Sequence, residues 1–145
     1  MDDPFELERF RSAQAGMYDQ ALKELRAGRK RGHWIWFVFP QLRGLGRSEM
    51  SHRYGIGSLA EARAYLADAT LGPRLRECCE ALLALPDEAD IGAVLGGIDA
   101  LKLRSSMTLF ALADPSEPLL DRVLARWYGG ERDDATVRLL DAAER

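Results

Sequence analysis

Histidine and cysteine are nearly missing from this chain, with two of each in 145 residues. The two cysteines, Cys78 and Cys79, are neighbours. A bond between adjacent residues is strained and closes no long loop, so two reduced, buried thiols are expected instead of a disulfide framework. On a helix their side chains point about 100° apart, a poor chelate. The two histidines, His33 and His52, lie far apart in the chain, and no second cysteine pair completes a four-ligand set. No metal and no cofactor are expected.

Long apolar runs are lacking as well. No stretch approaches the roughly 20 residues that span a bilayer. The start, Met1-Asp2-Asp3-Pro4, is acidic and has neither the basic residues nor the apolar run of a secretory signal. A cytoplasmic protein with no membrane partner is the expectation. Charge of one sign is not in excess: the formal net charge is −3, with both signs interleaved. Without a concentrated basic footprint, no nucleic-acid partner is expected. There is no Gly/Ser linker, no low-complexity tract and no internal repeat. Residues 1–145 therefore read as a single domain, large enough to bury about 70% of its unfolded surface. The full phosphate-loop and dinucleotide fingerprints are missing too. Gly44-Leu45-Gly46-Arg47-Ser48 is only a glycine-rich turn. It either presents backbone N–H groups to an anion beside Arg43 and Arg47 or forms a solvated loop.

What the chain does have is concentrated in one stretch. Residues 31 to 41 hold two of the three tryptophans, two of the five phenylalanines and one of the two histidines. Lys30 and Arg31 precede the aromatic run, and Arg43 and Arg47 follow it. Both parities are apolar from Trp34 to Phe39, so the alternation of a half-buried strand is absent. A short buried helix, ended by Pro40, is expected there, and the flanking helices are expected to fold onto it.

The remainder reads as helix after helix. Asp3 caps a first helix with Pro4 at its first position, and Phe10, Ala13, Gln14 and Met17 share a face. Gly16 bends or breaks that helix. Tyr18, Leu22 and Leu25 form the stripe of a second helix that stops at Gly28. Gln41 to Gly57 is a long loop, of the kind often functional or mobile. Ser58 and Glu61 make a capping-box pattern ahead of Leu59, Ala62 and Leu66. Further helices run from about Gly72 to Leu85, over Ile91 to Leu95 behind a capping Asp90, and from about Asp99 to Ala113 with Leu101, Leu109, Phe110 and Leu112 as its apolar face. One more ends at Tyr128, and a last one starts at Ala135 with Asp134 as cap. The expected fold is all-α, a single compact domain of about seven or eight helices around a buried aromatic segment.

Candidate chemistry is sparse. His33 stands at the entry to the aromatic run, where it could act as a base, donate to an anion or simply bond a backbone carbonyl at the core's edge. Lys102-Leu103-Arg104-Ser105-Ser106-Met107-Thr108 is the second cluster. Lys102 and Ser106 are i, i+4 neighbours on one side of a helix, a spacing that suits a joint polar grip. Consecutive hydroxyl residues suit a helix poorly unless they have local partners.

The run His33 to Gln41, with Leu7-Glu8-Arg9-Phe10, Ala13-Gln14, Tyr54-Gly55-Ile56, Ala60-Glu61-Ala62 and Ser105 to Phe110, resembles a bacterial family of domains of unknown function. Its mark is an HWxWFxFPQ motif, and it sometimes carries the label calpastatin. The resemblance covers nearly the whole chain and implies a mainly helical domain with no established activity. The label does not fit, because an inhibitor of that sort is disordered and this composition can build a core. A looser similarity, through Ala13-Gln14 and Tyr128-Gly129-Gly130-Glu131-Arg132-Asp133, is to small helical domains linked to ADP-ribose and riboflavin-intermediate metabolism, which act on N-glycosidic bonds. It transfers no catalytic residue.

Two functions follow as expectations. One is a domain that binds, or also hydrolyses, a small anionic or nucleotide-like ligand: Trp34 or Trp36 would stack on it, and His33, Gln41, Arg43, Lys102 and Ser106 would hold its polar groups. The other is a non-catalytic interaction or structural domain whose aromatic run is core.

Overall fold

Asp3 does cap the first helix, but from a distance. Its carboxylate accepts from the backbone N–H of Leu7 at 2.8 Å and of Glu8 at 2.9 Å, because residues 3–6 form a turn in which Glu6 takes a φ of 54°. The helix therefore begins at Glu8 and not at Pro4. The computed structural model describes residues 3–143, and ten helices lie among them. They are α1 (Glu8–Ala15), α2 (Tyr18–Ala27), α3 (Ile35–Val38), α4 (Glu49–Arg53), α5 (Leu59–Ala67), α6 (Leu71–Leu83), α7 (Ile91–Leu95), α8 (Gly97–Ala113), α9 (Pro118–Tyr128) and α10 (Asp134–Ala143). The all-α expectation holds, and so does the helical reading of the aromatic run.

The extra helices come from short pieces. Gln41 to Gly57 is not a featureless loop: it contains α4, capped by Ser48, and a single parallel bridge between Leu42 and Ile56. The capping box at α5 is half made. Ser58 Oγ accepts from Glu61 N, while Glu61 reaches back one residue further, to Gly57 N at 3.0 Å. At α10 the cap is Asp133 and not Asp134, since Asp133 accepts from both the N–H and the hydroxyl of Thr136.

The axis of the molecule is α8. It packs against α3, α5, α7, α9 and α10, and its residues from Ser105 to Ala111 are all buried. A helix surrounded in this way must be apolar nearly all round. The aromatic run is a neighbour of that axis, wedged between α1 and α8, rather than the hub itself. Its members Trp34, Ile35, Phe37, Val38 and Phe39 are nonetheless core. One glycine is obligatory for this packing: a Cβ at Gly72 would sit 2.1 Å from the Leu66 carbonyl oxygen, where α6 starts against the end of α5. Only three large apolar side chains are exposed among the described residues: Ile98, Leu101 and Leu139. Leu101 was expected in the core. The face of α8 that carries Ile98 and Leu101 is left uncovered, while Ala100 and Leu103 beside them are buried.

Candidate functional site

A one-turn helix such as α3 cannot hold itself in water. Side chains from α2 and α1 fix it at both ends. At the near end Glu24 Oε1 accepts three bonds, from Arg31 N at 2.8 Å, Gly32 N at 2.9 Å and the Trp34 indole N–H at 2.9 Å. At the far end Gln14 Nε2 donates to the Phe37 carbonyl at 2.6 Å, while Arg74 steadies the Gln14 carbonyl oxygen. Burial pushes the Glu24 carboxyl up, but the bonds from Gly32, Arg31, Trp34 and Gln20 outweigh it and hold the group down at about 2. Glu24 was missed from the sequence. Its signal was there: it falls among Tyr18, Ala21, Leu22 and Leu25, a carboxylate on the face that α2 buries.

From this clamp a row of charges and rings leads outward. Lys30, with its side chain 8% exposed, places Nζ 2.8 Å from Asp99 Oδ2 and also donates to the Gly32 carbonyl. The same ammonium lies 5.1 Å from the centre of the Trp34 ring. Asp99 Oδ1 is 3.6 Å from Lys102 Nζ, and that ammonium stands 4.4 Å over the Trp36 ring. The order is Trp34, Lys30, Asp99, Lys102, Trp36. Two cations share one carboxylate, so the row is left cationic. Asp99 and Lys102 are i, i+3 neighbours on α8, a pairing legible in the sequence. Lys30 joins them only through the fold.

The outer end of the row is chemically incomplete. Trp36 is half-buried, yet its indole N–H is shielded from solvent and has no hydrogen-bond partner among the described residues. Ser106, one helical turn beyond Lys102, is fully buried with its hydroxyl in the same state. Its neighbours are not: Ser105 donates to the Leu101 carbonyl, and Thr108 donates to the Arg104 carbonyl and accepts from Asp133 N. A buried donor without a partner costs about 1–3 kcal/mol. Along α3 and α8 the structure thus holds a cation over the Trp36 ring and two donors that lack partners and are shielded from solvent.

The seven candidate residues divide. Trp36 and Lys102 meet at the seam of α3 and α8, and Ser106 lies one turn further along α8. Trp34 does not join them as a stacking surface, because it is wholly buried and its ring packs against Phe39. His33 is exposed on the turn ahead of α3. Gln41 is half-buried and uses its backbone carbonyl to accept from Ile56 N. Arg43 belongs elsewhere: its Nε donates to the His52 carbonyl, and it lines a separate groove of about 430 Å³ with Gly57, Ser58, Leu59, Ala60, Leu139, Leu140 and Ala143. The bridge to Ile56 turns the chain after Pro40 toward α5 and α10, which carries Arg43 away from the seam.

The family model described as "Protein of unknown function (DUF1810)" matches residues 4–140. No protein of curated description matches. Among solved structures, the conserved hypothetical protein Rv1873 from Mycobacterium tuberculosis is 54% identical, with a TM-score of 0.94 over 96% of this chain and 99% of that one.

Proposed function

The chain belongs to the DUF1810 family of proteins of unknown function, and on that premise we propose that it is a small-ligand binding domain. Its ligand is anionic or nucleotide-like and enters at the seam of α3 and α8. Lys102 supplies the charge, Trp36 supplies a ring face and an N–H, and Ser106 supplies a hydroxyl. The single observation behind this reading is that two of the three buried donors without partners among the described residues, Trp36 Nε1 and Ser106 Oγ, lie on α3 and α8, the third being Trp127 Nε1 on α9. Solvated side chains are not built this way, and buried donors are normally satisfied.

Lys30 and Asp99 act one step back. Asp99 pairs with Lys102 while its other oxygen is held by Lys30, which places the Lys102 ammonium over the ring instead of leaving it free in solvent. The one carboxylate in the row, Asp99, is taken up by Lys30 and Lys102, which leaves no free base there and favours recognition over hydrolysis. Two free, buried cysteines also suit a reducing cytoplasmic setting.

A thermal-shift screen against nucleotides, sugar phosphates and simple oxyanions tests the reading. A true ligand at 100 times its Kd stabilises by about 2.7 kcal/mol, and Lys102→Met should abolish that gain while leaving the unliganded melting temperature nearly unchanged. If no compound stabilises the wild type and Lys102→Met lowers its stability markedly, a non-catalytic structural domain is the better description.

A further inference from the structure

The row of polar groups on α8 continues as something else. Ile98, Lys102 and Ser106 follow at intervals of four, so they lie along one ridge of the helix, and Leu101 stands beside it. Ile98 is 74% and Leu101 63% exposed, against a core in which nearly every other large apolar side chain is covered. Single exposed aliphatics are ordinary on protein surfaces. Here two of the three among the described residues are i, i+3 neighbours on one turn, the turn from which Lys102 also springs. The ridge therefore reads, in order, as apolar, cationic and then hydroxyl. A ligand that matches it has an apolar body at one end and acceptor oxygens at the other.

We propose that the ligand of the α3–α8 seam is an amphipathic organic anion, whose oxyanion lies at Lys102 and Trp36 and whose aliphatic or aromatic body covers Ile98 and Leu101. This rests on the binding role assigned to the seam and adds the class of molecule. Charge complementarity fixes the head, and the two exposed aliphatics fix the body. A bare inorganic anion would leave the Ile98–Leu101 turn wet. A cationic amphiphile would meet Lys102 as a like charge.

The test is a homologous series of straight-chain carboxylates, acetate, butyrate, hexanoate and octanoate, titrated into the full chain. The readout is the indole N–H signal of Trp36 by heteronuclear NMR, assigned with Trp36→Phe. Affinity should rise about two- to fourfold with each added methylene. The double variant Ile98→Ser/Leu101→Ser should flatten that slope, so that octanoate binds no tighter than acetate. Lys102→Met should weaken every member of the series, and octylammonium should leave the Trp36 signal in place. Octanoate binding equal to acetate in the wild type, or a slope that survives in the double variant, overturns the amphipathic class while leaving the anion seam intact. Octylammonium binding as well as octanoate overturns it too. If no carboxylate moves Trp36, or if Lys102→Met changes nothing, the binding role itself fails along with the class built on it.

Discussion

Trp34 and Trp36 stand two residues apart on the same turn of chain, and each has a lysine ammonium facing its ring, Lys30 at 5.1 Å and Lys102 at 4.4 Å. Beyond that they share little. The Trp34 ring is wholly buried, and its N–H ends on Glu24, a carboxylate that also gathers two backbone N–H groups. Trp36 is half-buried, and its N–H ends on nothing. One indole is used up in holding the fold together. The other is held in place by the fold and left chemically unfinished. Identical side chains in a single motif can therefore do separate jobs, and the hydrogen-bond inventory separates them where aromaticity does not.

Substitution at the two tryptophans should separate them most widely. Trp34→Ala is expected to cost about 3–5 kcal/mol in urea unfolding, from the lost core volume alone. The same change at Trp36 should cost clearly less, since that ring is part-exposed and its N–H has no partner to lose. Equal costs would break the comparison.

Glu24 comes next. Glu24→Gln should destabilise by about 2–3 kcal/mol at neutral pH, because charge-assisted bonds from four donors become neutral ones or are lost. The pH dependence has a definite sign. The carboxyl sits at about 2 in the folded chain against an ordinary value of 4.5. The stability it adds is thus complete above about 4.5 and is lost as pH falls from there toward 2. The stability gap between wild type and Glu24→Gln should narrow across that interval. A constant gap would mean that the clamp is not electrostatic.

Smaller effects sharpen the contrast on α8. Thr108→Val removes a hydroxyl that bonds both the Arg104 carbonyl and Asp133 N, and should cost about 1–2 kcal/mol. Ser106→Ala removes a hydroxyl that bonds nothing, and should stabilise, by up to about 1–3 kcal/mol as that buried donor's cost is relieved. A loss of 1 kcal/mol or more at Ser106 would reveal a structural partner and weaken the case for a vacant donor.

Much of the architecture was legible in the chain. Caps, glycine stops and apolar stripes placed most helices, and the double-parity run from Trp34 to Phe39 announced a buried element. The choice of axis was not legible. The run has the densest aromatics, but Ser105 to Ala111 on α8 is buried on every side, and burial all round erases the periodicity that makes a helix conspicuous. The site was half legible. Lys102 and Ser106 follow from i, i+4 spacing, and Asp99 from i, i+3. Lys30 and Glu24 reach the row only through tertiary packing, and Arg43 leaves it because the chain turns at the Leu42–Ile56 bridge. Local spacing reports which groups share a helix face, but not which faces meet.

The most direct measurement follows the two indole N–H signals of Trp34 and Trp36 while inorganic phosphate is titrated into the protein. Trp36 should shift in a saturable way that Lys102→Met abolishes, with Trp34 unmoved behind Glu24. A stationary Trp36, or equal movement of both signals, would contradict the division of labour between them.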